Sequence, residues 1–183
     1  MAVPDYQSVM LPLLEFADER KAELSTDDAV ETLASRLGLN DDDLKEMLPS
    51  GVQRTFVNRV GWAATYMKKA GLLEPTRRGY YRITPRGHEL LKKKPTTINV
   101  KLLQQYPEFL KFQQLKGTRS GEKRNALKDS LDVGTITPSE ALENAYGNLR
   151  DELVNELLAK LKKSSPSFFE RIVVELGHRY AER

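Results

Sequence analysis

Residues 50–84 read SGVQRTFVNRVGWAATYMKKAGLLEPTRRGYYRIT, and within them the spacing of the apolar residues changes once. Up to Ala70 it is helical. Phe56, Val60, Ala63, Ala64 and Met67 share one face of a 3.6-residue wheel, with Arg54, Asn58, Gly61, Thr65 and Lys69 opposite. Ser50-Gly51-Val52-Gln53 has the form of a capping box, which predicts a helix from Gly51 to about Ala70 with Gly71 as its stop. Beyond Gly71 the period is two. Leu72-Leu73-Glu74 and Tyr80-Tyr81-Arg82-Ile83-Thr84 read as short strands joined by the turn Pro75-Thr76-Arg77-Arg78-Gly79.

Working outward, three helices precede this stretch. The first runs from about Asp5 to Glu19 on the stripe Val9, Leu13, Leu14 and Phe16. The second is capped by Ser25, has Asp27 and Asp28 in its first turn, and ends at Gly38 after Val30, Leu33, Ala34 and Leu37. Asn40 caps a short third helix that opens on Asp41-Asp42-Asp43 and buries Leu44, Met47 and Leu48; these acids read as first-turn residues rather than as metal ligands. Downstream, Thr84-Pro85 starts a closing helix with Leu90 and Leu91 that ends in Lys92-Lys93-Lys94 before Pro95. The fold expected is mainly α: a winged helix-turn-helix domain over residues 1–95, with three to four helices and a two-stranded wing.

The remainder reads as a linker over residues 96–136 and a helical pair over 137–183. The linker holds a short helix with Val100, Leu102, Leu103, Phe109 and Phe112, then the polar run from Lys116 to Lys123. Thr137-Pro138-Ser139-Glu140 is a second capping box, opening a long helix to about Lys163 striped by Ala141, Leu142, Ala145, Leu149, Leu153, Leu157 and Leu161. Ser165-Pro166 caps a last helix with Phe168, Phe169, Ile172, Val173 and Leu176. A leucine stripe of this kind needs somewhere to be buried, which predicts a weakly held homodimer.

Composition narrows the chemistry. There is no cysteine, so no disulfide, thiolate zinc site or cysteine nucleophile, and His88 and His178 are too few for a histidine cluster. No apolar run approaches the length of a membrane helix and no signal peptide opens the chain, so a cytoplasmic protein without membrane contact is expected. The net charge of +3 conceals an asymmetry: residues 1–50 hold 12 acidic and 4 basic side chains, whereas residues 51–101 hold 2 acidic and 12 basic. Such concentration points to a polyanionic partner, and double-stranded DNA fits the architecture.

The second helix of a helix-turn-helix enters the major groove with its first residues at the base edges. Arg54 and Asn58, one turn apart, are the candidate base readers, since arginine pairs with guanine and asparagine with adenine. Gln53 and Thr55 adjoin them. Arg59, Lys68 and Lys69 are assigned to phosphates, and Arg77, Arg78 and Arg82 put three cations on the wing. Gly61 marks a close approach by another backbone or by DNA. Trp62 and Tyr66 are read as packing against the hairpin, with base stacking as the alternative.

A catalytic site does not emerge from the residues. Pro4-Asp5 and Glu19-Arg20-Lys21 match a nuclease pattern in letters, but one continuous helix between them separates the acids by about 20 Å. Gln114-Leu115-Lys116 lies in polar sequence without a strand pattern.

Pro4-Asp5-Tyr6 with Leu11-Pro12-Leu13-Leu14, Leu48-Pro49-Ser50-Gly51, Asn58-Arg59-Val60-Gly61-Trp62-Ala63, Leu72-Leu73, Arg78-Gly79 and Ile83-Thr84-Pro85-Arg86-Gly87 closely resemble the N-terminal domain of the Mrr restriction proteins. The residues from Thr137 through Phe168-Phe169-Glu170 look like the lead-in to that family's C-terminal nuclease domain. The resemblance implies a type IV restriction system, in which a winged-helix domain recognises modified, methylated DNA and a magnesium-dependent PD-(D/E)xK nuclease cuts it. It also implies that the catalytic acids lie beyond residues 166–180, leaving Glu170 as the position that matches a helical glutamate. This chain is therefore expected to target DNA without cofactor or cleavage of its own, its nuclease being a separate domain or subunit. A transcriptional regulator with a helical dimerisation segment is the competing expectation, and a complete nuclease with carboxylates placed elsewhere is another.

Overall fold

A computed structural model describes residues 3–117 and 135–181. Helix α1 (Tyr6–Arg20) starts where the Asp5 carboxylate accepts the amides of Gln7 and Ser8, and stops at Lys21 in the left-handed region. Its continuity bears out the separation of Asp5 from Glu19 argued from sequence. Strand β1 (Leu24–Ser25) leads into α2 (Thr26–Arg36), whose cap Ser25 accepts the Asp28 amide at 3.0 Å. Asn40 and Asp43 form a reciprocal capping box on α3 (Asp41–Lys45), so that acid is committed to a helix end.

The predicted helix start at Gly51 is corrected. Gly51 takes φ +69°, which a helix does not admit, and the Ser50 side chain caps nothing in this helix. The chain instead makes a small closed loop in which Leu48 N–H donates to Gln53 O, Thr55 N–H donates to Glu46 O, and Met47 pairs with Arg54. Leu48 is thereby buried. Helix α4 (Thr55–Lys69) follows with Arg54 at its N-cap position, and it buries Phe56, Val60, Ala63, Ala64 and Met67 against α1 and α2.

Strand β2 (Leu73–Arg77) runs further than expected and β3 (Tyr80–Ile83) starts where expected, leaving a two-residue turn, Arg78-Gly79, with Gly79 at φ +80°. The register shifts by one residue between Pro75 and Arg77. Sheet order is β1-β3-β2, with Leu24 opposite Tyr81 and Ser25 opposite Tyr80. Thr84 caps α5 (Pro85–Lys92), accepting the Gly87 amide and donating its hydroxyl to Gly71 O.

Residues 98–112, expected as part of a linker with a short helix, contribute side chains to the core. Helices α6 (Val100–Leu103) and α7 (Pro107–Gly117) carry Leu103 and Phe109, both fully buried, and Ile98 is buried just before them. Tyr66 is the hub: its ring meets Tyr6, Trp62, Phe109 and Phe112 edge-on at centroid distances of 5.4–6.1 Å. Tyr66 thus packs on Trp62 and on rings of α1 and α7, where packing against the hairpin was expected.

The first compact unit extends to Glu143, past the boundary expected near residue 95. The polar run from Lys116 to Lys123 falls almost wholly outside the described residues. A second unit, from Asn144, comprises most of α8 (Pro138–Lys163) and α9 (Pro166–Ala181). Leu142, Leu149, Leu153 and Leu157 on α8, and Phe168, Phe169 and Leu176 on α9, are all exposed.

Candidate nucleic-acid interface

Helix α4 has three longitudinal faces. One is the core face. A second flank is covered by the chain's own residues 137–143. Asn58 is 4% exposed; its Nδ2 donates to Gln53 Oε1 at 2.9 Å and its Oδ1 accepts the Thr137 hydroxyl at 2.6 Å. Arg59 donates through Nε and Nη2 to Glu140 Oε1 at 3.0 and 2.6 Å, and through Nη1 to the carbonyls of Val3 and Pro4. Trp62 Nε1 donates to Ser139 Oγ at 3.0 Å, and Ser50 donates through its amide and hydroxyl to the Glu143 carboxylate.

The third face is a strip at helical spacing: Arg54, Val57, Gly61, Thr65 and Lys68, all exposed or half-buried. Arg54 borders an open groove lined by Asp27, Val30, Glu31, Ala34, Leu44, Phe56 and Val57. Lys68 lies over the Tyr81 ring at 5.5 Å, and burial with the neighbouring Lys69 charge holds its ammonium below the ordinary lysine range. Burial also pushes the Tyr81 phenol well above its usual value.

The structure therefore sorts the residues proposed from sequence. Gln53 and Arg54 are exposed at the helix start. Thr55 is buried as the first helical residue and does not face outward. Asn58 and Arg59, expected to meet a base and a phosphate, are instead anchors for residues 137–140, because hydrogen bonds and burial commit their polar atoms inside the protein. Lys69 is exposed beside the Phe112 ring. On the hairpin, Arg77 pairs with Glu23 and stacks on Tyr80, Arg82 pairs with Glu74, and Arg78 stands exposed at the tip. Those are exposed ion pairs, each worth about 0–1 kcal/mol, so both arginines stay exchangeable.

Sequence reasoning missed Thr137, Ser139 and Glu140 as partners of α4, and Ser50 and Glu143 as partners of each other. Half of the signal was present, since Thr137-Pro138-Ser139-Glu140 was read as a capping box, and the box forms: Thr137 N–H donates to Glu140 Oε2 at 2.6 Å and Glu140 N–H to Thr137 Oγ1 at 3.2 Å. The second oxygen of that carboxylate reaches Arg59, 81 positions back along the chain, which no local pattern announces. Among the described residues no group of three or more His, Asp or Glu is placed to hold a metal ion. No helix among them is long and apolar enough to cross a membrane.

The family model for the Mrr N-terminal domain matches residues 6–93. The chain is also similar over 98% of its length to the type IV methyl-directed restriction enzyme EcoKMrr of Escherichia coli (strain K12), 31% identical over 186 residues. It spans 60% of the length of that enzyme. Residues 6–93 are thus similar to the Mrr N-terminal domain, and the similarity to the Escherichia coli enzyme extends over nearly the whole chain. No solved structure matches it.

Proposed function

We propose that this chain binds duplex DNA through a winged helix-turn-helix, with α4 as the reading helix and β2–β3 as the wing, as the targeting part of a restriction system. The observation that carries the reading is the topology around α4: β1, between the first two helices, pairs with β3, so the hairpin with Arg78 at its turn follows directly from the helix that exposes Arg54. Gln53 and Arg54 meet base edges, while Lys68, Lys69, Arg78 and, by partner exchange, Arg77 and Arg82 meet phosphates. Methylated DNA is the proposed target, supported by the methyl-directed relative. A magnesium-dependent nuclease is proposed as a separate domain or subunit acting with this chain, and the exposed apolar residues of α8 and α9 support a weak homodimer.

Titration of matched methylated and unmethylated duplexes, with and without magnesium and at two salt concentrations, tests this. Tighter binding to the methylated duplex is expected, with a slope of log K on log salt near −0.9 per phosphate contacted. Equal binding to both duplexes removes the methyl-directed part. Failure to bind either duplex at low salt overturns the reading.

A further inference from the structure

We infer that Gly61 is the point at which α4 meets the sugar–phosphate wall of the duplex, a positioning residue for DNA seating; the inference rests on the DNA-binding reading above. A glycine inside a helix weakens it, so its presence calls for a reason. At other positions the fold supplies one. Gly38, Gly51, Gly71 and Gly79 take positive φ, and a β-carbon at Gly87 would lie 2.6 Å from Leu72 O. Gly61 has ordinary helical φ, and a β-carbon built there meets no described atom within 4 Å. Neither backbone conformation nor packing inside the described protein calls for glycine.

Gly147 and Gly177, on α8 and α9, share that openness. What separates Gly61 is its neighbourhood. It sits midway along the accessible strip of α4, seven residues from Arg54 and seven from Lys68, or about 10 Å along the axis in each direction. The major groove is about 12 Å wide. With Arg54 at the base edges, the helix at Gly61 has reached the groove's rim, and Lys68 lies beyond it at the level of the flanking phosphates. A helix crossing that rim approaches the strand most closely where it carries no side chain. The ligand atoms are those of the sugar–phosphate backbone, so the contact carries no sequence or methylation preference.

The test is Gly61→Ala and Gly61→Leu, with Gly147→Ala as a control, each assayed by thermal unfolding and by fluorescence anisotropy on methylated and unmethylated duplexes. Gly61→Ala is expected to raise Tm by about 2–4 °C while weakening Kd about 10-fold, by the same factor on both duplexes. Gly61→Leu is expected to weaken Kd further, and Gly147→Ala to leave it unchanged. Gly61→Ala binding within about two-fold of the parent overturns the inference, as does a fall in Tm, which would make Gly61 a requirement of the fold. A factor that differs between the duplexes overturns it too. If the parent chain binds neither duplex, the proposed function falls and this inference with it, which is a different result from a parent that binds and a variant that binds equally well.

Discussion

Removing the Glu140 side chain tests whether residues 137–143 are structurally part of the first unit. Its carboxylate accepts the Thr137 amide on one oxygen and two Arg59 donors on the other, with side-chain exposures of 8% for Glu140 and 15% for Arg59. Breaking a pair this buried by deleting one partner costs about 3–5 kcal/mol, because the remaining ion is left without its counter-charge. Arg59 keeps the carbonyls of Val3 and Pro4, which places Glu140→Ala at the lower end, about 3 kcal/mol. Urea unfolding followed by tryptophan fluorescence is the assay. The chain has one tryptophan, and the indole of Trp62 donates to Ser139, inside the same contact. Emission of the folded variant is expected to shift to longer wavelength as residues 137–143 leave α4. Replacing both partners, Arg59→Met with Glu140→Leu, is expected to recover most of the stability. A loss below about 1 kcal/mol for Glu140→Ala, with unchanged emission, would refute the reasoning.

Arg54→Ala is expected to weaken duplex binding by about 1–3 kcal/mol without changing Tm, since its exposed side chain makes no cap hydrogen bond; paired anisotropy and melting measurements check both halves. Gly87→Ala drives a methyl against Leu72 O, which already accepts the Thr84 amide, and is expected to cost about 1–3 kcal/mol in urea unfolding. The Arg86 guanidinium beside Glu108 holds that carboxyl below its ordinary range. The folded pKa is the depressed one, so the stabilisation is complete above the unfolded carboxylate pKa and is lost as pH falls through the folded value. The Tm gap between the parent and Glu108→Gln is therefore expected near pH 7 and to close near pH 3, both approximate.

Much of the first unit was legible because its signals are local. The stripe in α1, the Ser25 and Asn40 caps, the Thr84-Pro85 start and the change of period at Gly71 each lie within a few residues of what they specify. What escaped depends on distance or brevity. Strand β1 is two residues long, too short for any alternation to show, and exists because β3 offers Leu24 and Ser25 a partner. The Ser50–Gln53 box failed because the chain closes a loop there instead, with Gly51 at positive φ and bonds from Leu48 N–H to Gln53 O and from Thr55 N–H to Glu46 O. The exposure of Arg54 was legible from wheel position alone, whereas the burial of Asn58 and the cover over Arg59 were not: a wheel shows which residues leave the core, not which are then covered by another part of the chain.

Four rings set edge-on around Tyr66 leave its own ring little freedom. In an interior packed like a molecular crystal, such a ring turns over only when its neighbours draw apart. Its two edges thus face different surroundings for as long as α1, α4 and α7 stay closed. Their exchange in a magnetic resonance spectrum is a clock on the breathing of that joint.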